Sequence, residues 1–196
     1  MTDPKRVALI VGASSPAGEA VARGLAAAGL RLALNDLMPG RIESLAKELN
    51  AGGAQAIAHA ADVSRKLALQ TMLQAVLEPW ERIDLLVFLP VAQPAGNLLD
   101  LDEWDWHRTL DLNLSAAFLC MQSVGRVMRE LGGGRMVLAQ SLQPGAPPAW
   151  QAASGGLGAL AAAAGVELGT HRIAVHSCPA EPDQILALCL AETKQP

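Results

Sequence analysis

Val7-Ala8-Leu9-Ile10-Val11-Gly12-Ala13-Ser14-Ser15-Pro16-Ala17-Gly18 is the stretch on which the fold turns. Val7 to Val11 is an unbroken apolar run, rich in β-branched residues and too short for a core helix, as expected of a strand buried on both faces. Gly12 ends the run and small residues carry the chain to Gly18. From there 18–28 has helical spacing and Gly29 supplies the stop. A strand, a tight turn and a helix in that order form the first unit of an alternating α/β fold.

The alternation continues along the chain. Residues 30–34 repeat the strand signal, 41–50 the helix, and 56–58 a third strand before Asp62 and Val63. Leu67, Leu69, Met72, Leu73 and Val76 put apolar residues on one side of a helix over 65–80. Residues 83–89 read as a run buried on both faces, as parallel strands are, and Pro90 and Pro94 close them. Leu110, Leu114, Phe118 and Met121 predict one long helix across 101–129, which Gly132, Gly133 and Gly134 end. A fifth strand at 135–139, an Ala/Gly-rich helix at 151–169, a sixth strand at 173–178 and a helix at 183–193 complete the series. The expectation is a Rossmann-like doubly wound parallel sheet of about six strands, with helices on both faces and right-handed crossovers. No linker interrupts it, so 1–196 is expected to form a single domain.

Composition narrows the function. Hydrophobic residues make up 51% and charged residues 17%, which suits one sizeable core. A net charge of −4 with scattered Lys and Arg offers no basic stripe for nucleic acid. The apolar stretches 85–89 and 159–166 are too short to span a bilayer, which points to no membrane partner and a cytoplasmic location. Cys120, Cys178 and Cys189 form no CxxC pair and read as core thiols, and the histidines show no HxH or HxxxH spacing, so no metal is expected. His107 with Asp111 four residues on reads as an exposed helix pair. Asp102, Glu103 and Asp105 favour a helix start. Tyrosine is absent.

In such a sheet the first strand-to-helix turn is where a pyrophosphate meets helix N–H groups, and Gly12, Ser14, Ser15, Ala17 and Gly18 occupy it. Asp36, ending the second strand, stands where a carboxylate accepts ribose hydroxyls. With these marks in register, the chain resembles the short-chain dehydrogenase/reductase family, whose turn reads TGxxxGxG, and the resemblance spans nearly the whole sequence. Gly12 and Gly18 match the outer glycines, and Asp62-Val63 looks like the adenine-side pair after the third strand. Val11 replaces the threonine and Pro16 the middle glycine, and Pro16 brings a ring where a pyrophosphate comes close. The resemblance implies NAD as cofactor, bound weakly, with Asp36 disfavouring a 2′-phosphate.

The acid–base set departs further from the family. Phe88, Leu89, Pro90 and Val91 stand where the family has NNAG. Asn113 matches the asparagine that helps hold a proton-relay water, and Ser141 matches the catalytic serine. Trp150 and Ser154 occupy the places of the tyrosine and lysine of YxxxK. No register shift restores that pair, since the chain has no tyrosine and no lysine between Lys66 and Lys194. An indole N–H does not titrate usefully near neutrality. Pro179-Ala180 resembles the family's Pro-Gly but runs straight into the last helix, so neither a substrate lid nor a seventh strand is expected. The implied protein is a degenerate family member, a non-catalytic nucleotide- or partner-binding protein. The alternative is an NAD-dependent oxidoreductase that moves its proton with Ser141, Asn113 and a water or a partner's residue. In the family the helices at 112–129 and 151–169 build a four-helix interface. Here Ala116, Ala117, Gly155, Gly156, Gly158 and Ala161 to Ala164 would permit close approach in a homodimer or in a heterodimer with an intact relative.

Overall fold

The computed structural model describes residues 5–90, 96–141 and 145–191. Val91, Pro94, Lys194 and the last two residues of the helix expected at 183–193 lie outside them.

Six strands, β1 (Val7–Val11), β2 (Arg31–Asp36), β3 (Gln55–Ala60), β4 (Leu85–Phe88), β5 (Gly134–Gln140) and β6 (Ile173–Pro179), form one sheet in the order β3-β2-β1-β4-β5-β6. Every neighbouring pair is parallel. Alternate residues feed two cores. From β1, Val7, Leu9 and Val11 pack with Leu69, Val76, Val124 and Leu157 on one face, while Ala8 and Ile10 pack with Val21, Leu25, Ile42 and Ile185 on the other. A strand buried on both sides favours apolar residues at every position, which is why the opening apolar run is unbroken.

The helices are α1 (Pro16–Ala27), α2 (Pro39–Ala51), α3 (Lys66–Trp80), α4 (Glu103–Leu110), α5 (Ala116–Glu130), α6 (Pro148–Gly169) and α7 (Pro182–Leu190). α1 begins at Pro16, two residues before the expected start, because the Ser15 hydroxyl caps the helix by accepting from the Gly18 N–H at 3.0 Å and Pro at the first position needs no donor. Gly18 is required there: a Cβ would lie 2.4 Å from the Gly12 carbonyl oxygen.

Two sequence expectations need correction. The single helix over 101–129 is α4 and α5 joined by a π-helical turn, Asp111–Ser115, that inserts extra backbone into the spiral. Asp102 stands outside α4 and caps it, its carboxylate accepting from the Asp105 N–H at 2.8 Å. Second, α6 starts at Pro148 and runs to Gly169, so the apolar stretch 159–166 belongs to a helix that by length and mean hydropathy could cross a bilayer. Here Ala153, Leu157 and Ala161 of that helix are buried, with Leu157 and Ala161 in the sheet's core.

Candidate active site

The carboxyl ends of the strands converge on the loop 12–15, and its hydrogen bonds face inward. The Gly12 and Ala13 N–H groups both donate to the Asn35 carbonyl at 3.0 Å, and the Ser15 N–H donates to the Gly12 carbonyl at 3.3 Å. The Ser14 N–H donates to Asp36 Oδ2 at 3.0 Å, and the Gly18 N–H is held by Ser15. Pro16 has no N–H. Of the whole turn, only the Ala17 N–H is without a protein partner among the described residues.

Asp36 is 7% exposed, and its other oxygen accepts from the Leu37 N–H at 2.7 Å. The Asn35 side chain ties β2 to the end of β3 by donating to the His59 and Ala61 carbonyls. This brings Asp62 beside Asp36. The Ser64 N–H and hydroxyl both donate to Asp62 Oδ1, and Arg108 from α4 donates to Oδ2 at 3.1 Å. Burial pushes the Asp62 carboxyl up, but the Ser64 and Arg108 hydrogen bonds outweigh it and hold the group below the usual carboxylate range. Val63 turns into the core, so its side chain is not part of the crevice. Arg108 was not foreseen. It lies 46 residues from Asp62, and nothing local marks a guanidinium that reaches across the crevice.

At the other end, Ser141 is clamped through its backbone. The Trp150 indole N–H donates to the Ser141 carbonyl at 2.7 Å, and the Ser141 N–H donates to Ser154 Oγ at 2.9 Å. Gln140 Nε2 donates to the Ser154 carbonyl at 2.9 Å, which locks α6 onto the end of β5. Trp150 is 6% exposed, so it packs inside rather than facing the crevice. Asn113 lies in the π-helical turn, buried, with its Nδ2 donating to the Thr109 carbonyl at 3.0 Å. Phe88 and Leu89 are fully in the core. Gln140 also escaped sequence reasoning, although a glycine inside a helix was a signal: a Cβ on Gly158 would lie 2.3 Å from its Nε2.

Other expectations shift as well. Gly158 serves Gln140 and Gly156 accommodates Leu114, so these two glycines permit packing within the chain, while Gly155 opens outward. His107 pairs with Glu103 at 3.6 Å, one turn earlier in the helix, rather than with Asp111. The three thiols are buried, and burial pushes those of Cys120 and Cys189 up to about 12. After Pro179, Ala180 and Glu181 alone separate β6 from α7.

The short chain dehydrogenase family model matches residues 6–183, which takes in every strand and the crevice. The chain belongs to the short-chain dehydrogenase family. This short-chain dehydrogenase is 32% identical over 174 residues to the BbsD subunit of (2S)-[(R)-hydroxy(phenyl)methyl]succinyl-CoA dehydrogenase from Thauera aromatica, covering 87% of the chain and 70% of that protein. It is 39% identical over 132 residues to the BbsC subunit of the same dehydrogenase, covering 67% of the chain and 53% of that subunit. Among solved structures, a metagenomic short-chain oxidoreductase in complex with NADP superposes with a TM-score of 0.88 at 28% identity, covering 97% of the chain and 93% of that one. The matched stretches thus span between about half and 70% of these two curated relatives.

Proposed function

We propose that this short-chain dehydrogenase is a non-catalytic family member that keeps the fold and acts as a binding subunit beside an intact relative. One observation carries the reading: Trp150 and Ser154, at the tyrosine and lysine positions, are buried and spend their polar atoms on the Ser141 backbone. A positioned acid or base is worth about 10²–10⁴ in rate, roughly 3–5 kcal/mol of barrier, and neither residue supplies one. Ser141 and Asn113 are then remnants of a proton path, and Gly12, Ser14, Ser15, Ala17, Gly18, Asp36, Asp62 and Val63 remnants of an NAD site. The fit to a dinucleotide is poor. A single free N–H in the turn leaves a pyrophosphate almost without backbone donors, so NAD binding is weak, though Asp36 still disfavours NADP. That two relatives are subunits of one dehydrogenase supports a subunit role. The surface for it is a groove of about 390 Å³ between α5 and α6, lined by Phe118, Met121, Gly125, Leu160, Ala163 and Leu168. A cytoplasmic location fits a metabolic subunit.

The test is turnover. Purified chain with NAD(H) or NADP(H) and a panel of ketones and secondary alcohols is expected to show no rate above background. A rate that Ser141→Ala abolishes would overturn the proposal in favour of an oxidoreductase with an unusual proton donor. The double variant Trp150→Tyr with Ser154→Lys is expected to remain inactive, because Phe88 and Leu89 still fill the end of β4.

A further inference from the structure

We infer that the exposed segment 98–104 of one copy docks in the groove between α5 and α6 of a second copy. The inference rests on the reading of that groove as a docking surface and names its occupant. Large apolar side chains crowd the segment in water: Leu98, Leu99 and Trp104 are 73%, 95% and 70% exposed. Single apolar residues scattered on a surface need no explanation, but a cluster rimmed by charge marks an interaction site. The cluster is held in place. The Asp100 and Leu101 N–H groups donate to the Asn97 carbonyl at 3.0 and 2.9 Å, and Asp102 caps α4. A pinned segment loses little freedom on docking. Its rim is acidic. Asp100, Asp102 and Glu103 are exposed and Asp105 is half-buried, while the nearest cations are engaged, His107 with Glu103 and Arg108 with Asp62.

The groove has the opposite character. Phe118, Met121, Leu160 and Leu168 give it an apolar floor, and Arg126, Arg129 and His171 give it a basic rim against one acid, Glu167. Arg126 is exposed and without a partner among the described residues. A cavity of about 150 Å³ holds a benzene, so a groove of about 390 Å³ admits an indole with a leucine beside it. One chain cannot fill its own groove. α4, the π-helical turn and α5 run without a break from Glu103 to Glu130, and at about 1.5 Å per residue even Phe118, the near end of the groove, lies about 20 Å from Trp104. Two copies with their α5 helices antiparallel bring each segment to the other's groove, so the contact is made twice and the assembly closes as a dimer. Leu98, Leu99 and Trp104 lie outside α5 and α6, which separates this contact from a pairing of those two helices face to face.

Sedimentation velocity on the purified full chain decides it. The unmodified chain is expected to dimerise at high micromolar concentration, and less so as salt rises from about 0.05 to 0.5 M. Trp104→Ser, in the segment, and Arg126→Glu, in the groove, are each expected to weaken dimerisation by about tenfold or more with an unchanged melting temperature, because both positions are exposed. An equimolar mixture of the two variants is expected to regain a 1:1 complex, since one supplies an intact groove and the other an intact segment. A monomeric unmodified chain, dimerisation that Trp104→Ser together with Leu99→Ser leaves unchanged, or variants that stay apart when mixed each overturn the inference. Co-purification of a relative with a monomeric chain overturns it while leaving the binding-subunit reading standing, whereas NAD(H)-dependent turnover removes the non-catalytic reading and does not touch the docking result.

Discussion

Trp150 has one N–H and the Ser141 carbonyl takes it, so the indole is defined by a bond as much as by its packing. Trp150→Phe is expected to cost about 1–3 kcal/mol in urea unfolding, because it strands a carbonyl at the end of β5. Gly158→Ala is expected to cost about 1–3 kcal/mol as well, since the added methyl displaces the Gln140 amide from the Ser154 carbonyl. A neutral result for Gly158→Ala would show that Gln140 relocates freely. The histidines bear on pH. Burial holds both His59 and His176 below the ordinary histidine value, with Arg135 adding to the effect at His176, and His59 Nε2 is buried without a partner among the described residues. The folded chain therefore binds fewer protons than the unfolded one. The stability these two residues contribute is present above about pH 6.5, is lost as pH falls through their folded values, and then levels off. His59→Leu is expected to flatten that slope in denaturation curves measured between about pH 8 and 5, and an unchanged slope would remove His59 from the account. Gly12, Gly18 and Asp36 were legible in the sequence because a turn and a strand end fix them locally. Gln140 and Arg108 were not, because their partners come from distant segments.

At the level of elements, boundaries moved where a cap or a backbone irregularity decided them. Ser15 and Asp102 set the starts of α1 and α4, and side-chain periodicity does not see a cap. Nor does it see a π-helical turn, since Leu114, within it, keeps an ordinary helical spacing of four from Leu110. The alternation of strands and helices was readable throughout, because strands buried on both faces leave long apolar runs. One helix is tied by a long side chain as well as by its packing: Arg135, at the start of β5, donates to the carbonyls of Leu188 and Ala191 at the end of α7. A guanidinium there satisfies helix-end carbonyls and complements the helix dipole. Arg135→Met is expected to raise hydrogen exchange across α7 by about tenfold while the amides of β1 and β4 stay protected. Uniform loss of protection would mean that Arg135 supports the whole sheet.

For the molecule as a whole, the outward face of α6 is the surface to test. Ala162 is exposed on it and Val166 is 81% exposed, an unusual position for a large apolar side chain. Ala162→Arg is expected to keep the chain folded and to split any dimer seen by light scattering, because the interface would bury an unpaired charge. A clean monomer of the unmodified chain at high micromolar concentration refutes self-association and leaves pairing with a relative, tested by co-purification. The strand order has a further consequence, in time rather than in space. β1 is central only once β4 lies beside it, and that pairing joins Val11 to Phe88 across three helices and two strands. During synthesis, β1, β2 and β3 leave the ribosome as a half-sheet whose apolar edge waits for Leu85 to Phe88. Pairings so distant in sequence fold slowly, so this half-made sheet is the species on which chaperones would act, and refolding at high concentration should lose yield there first.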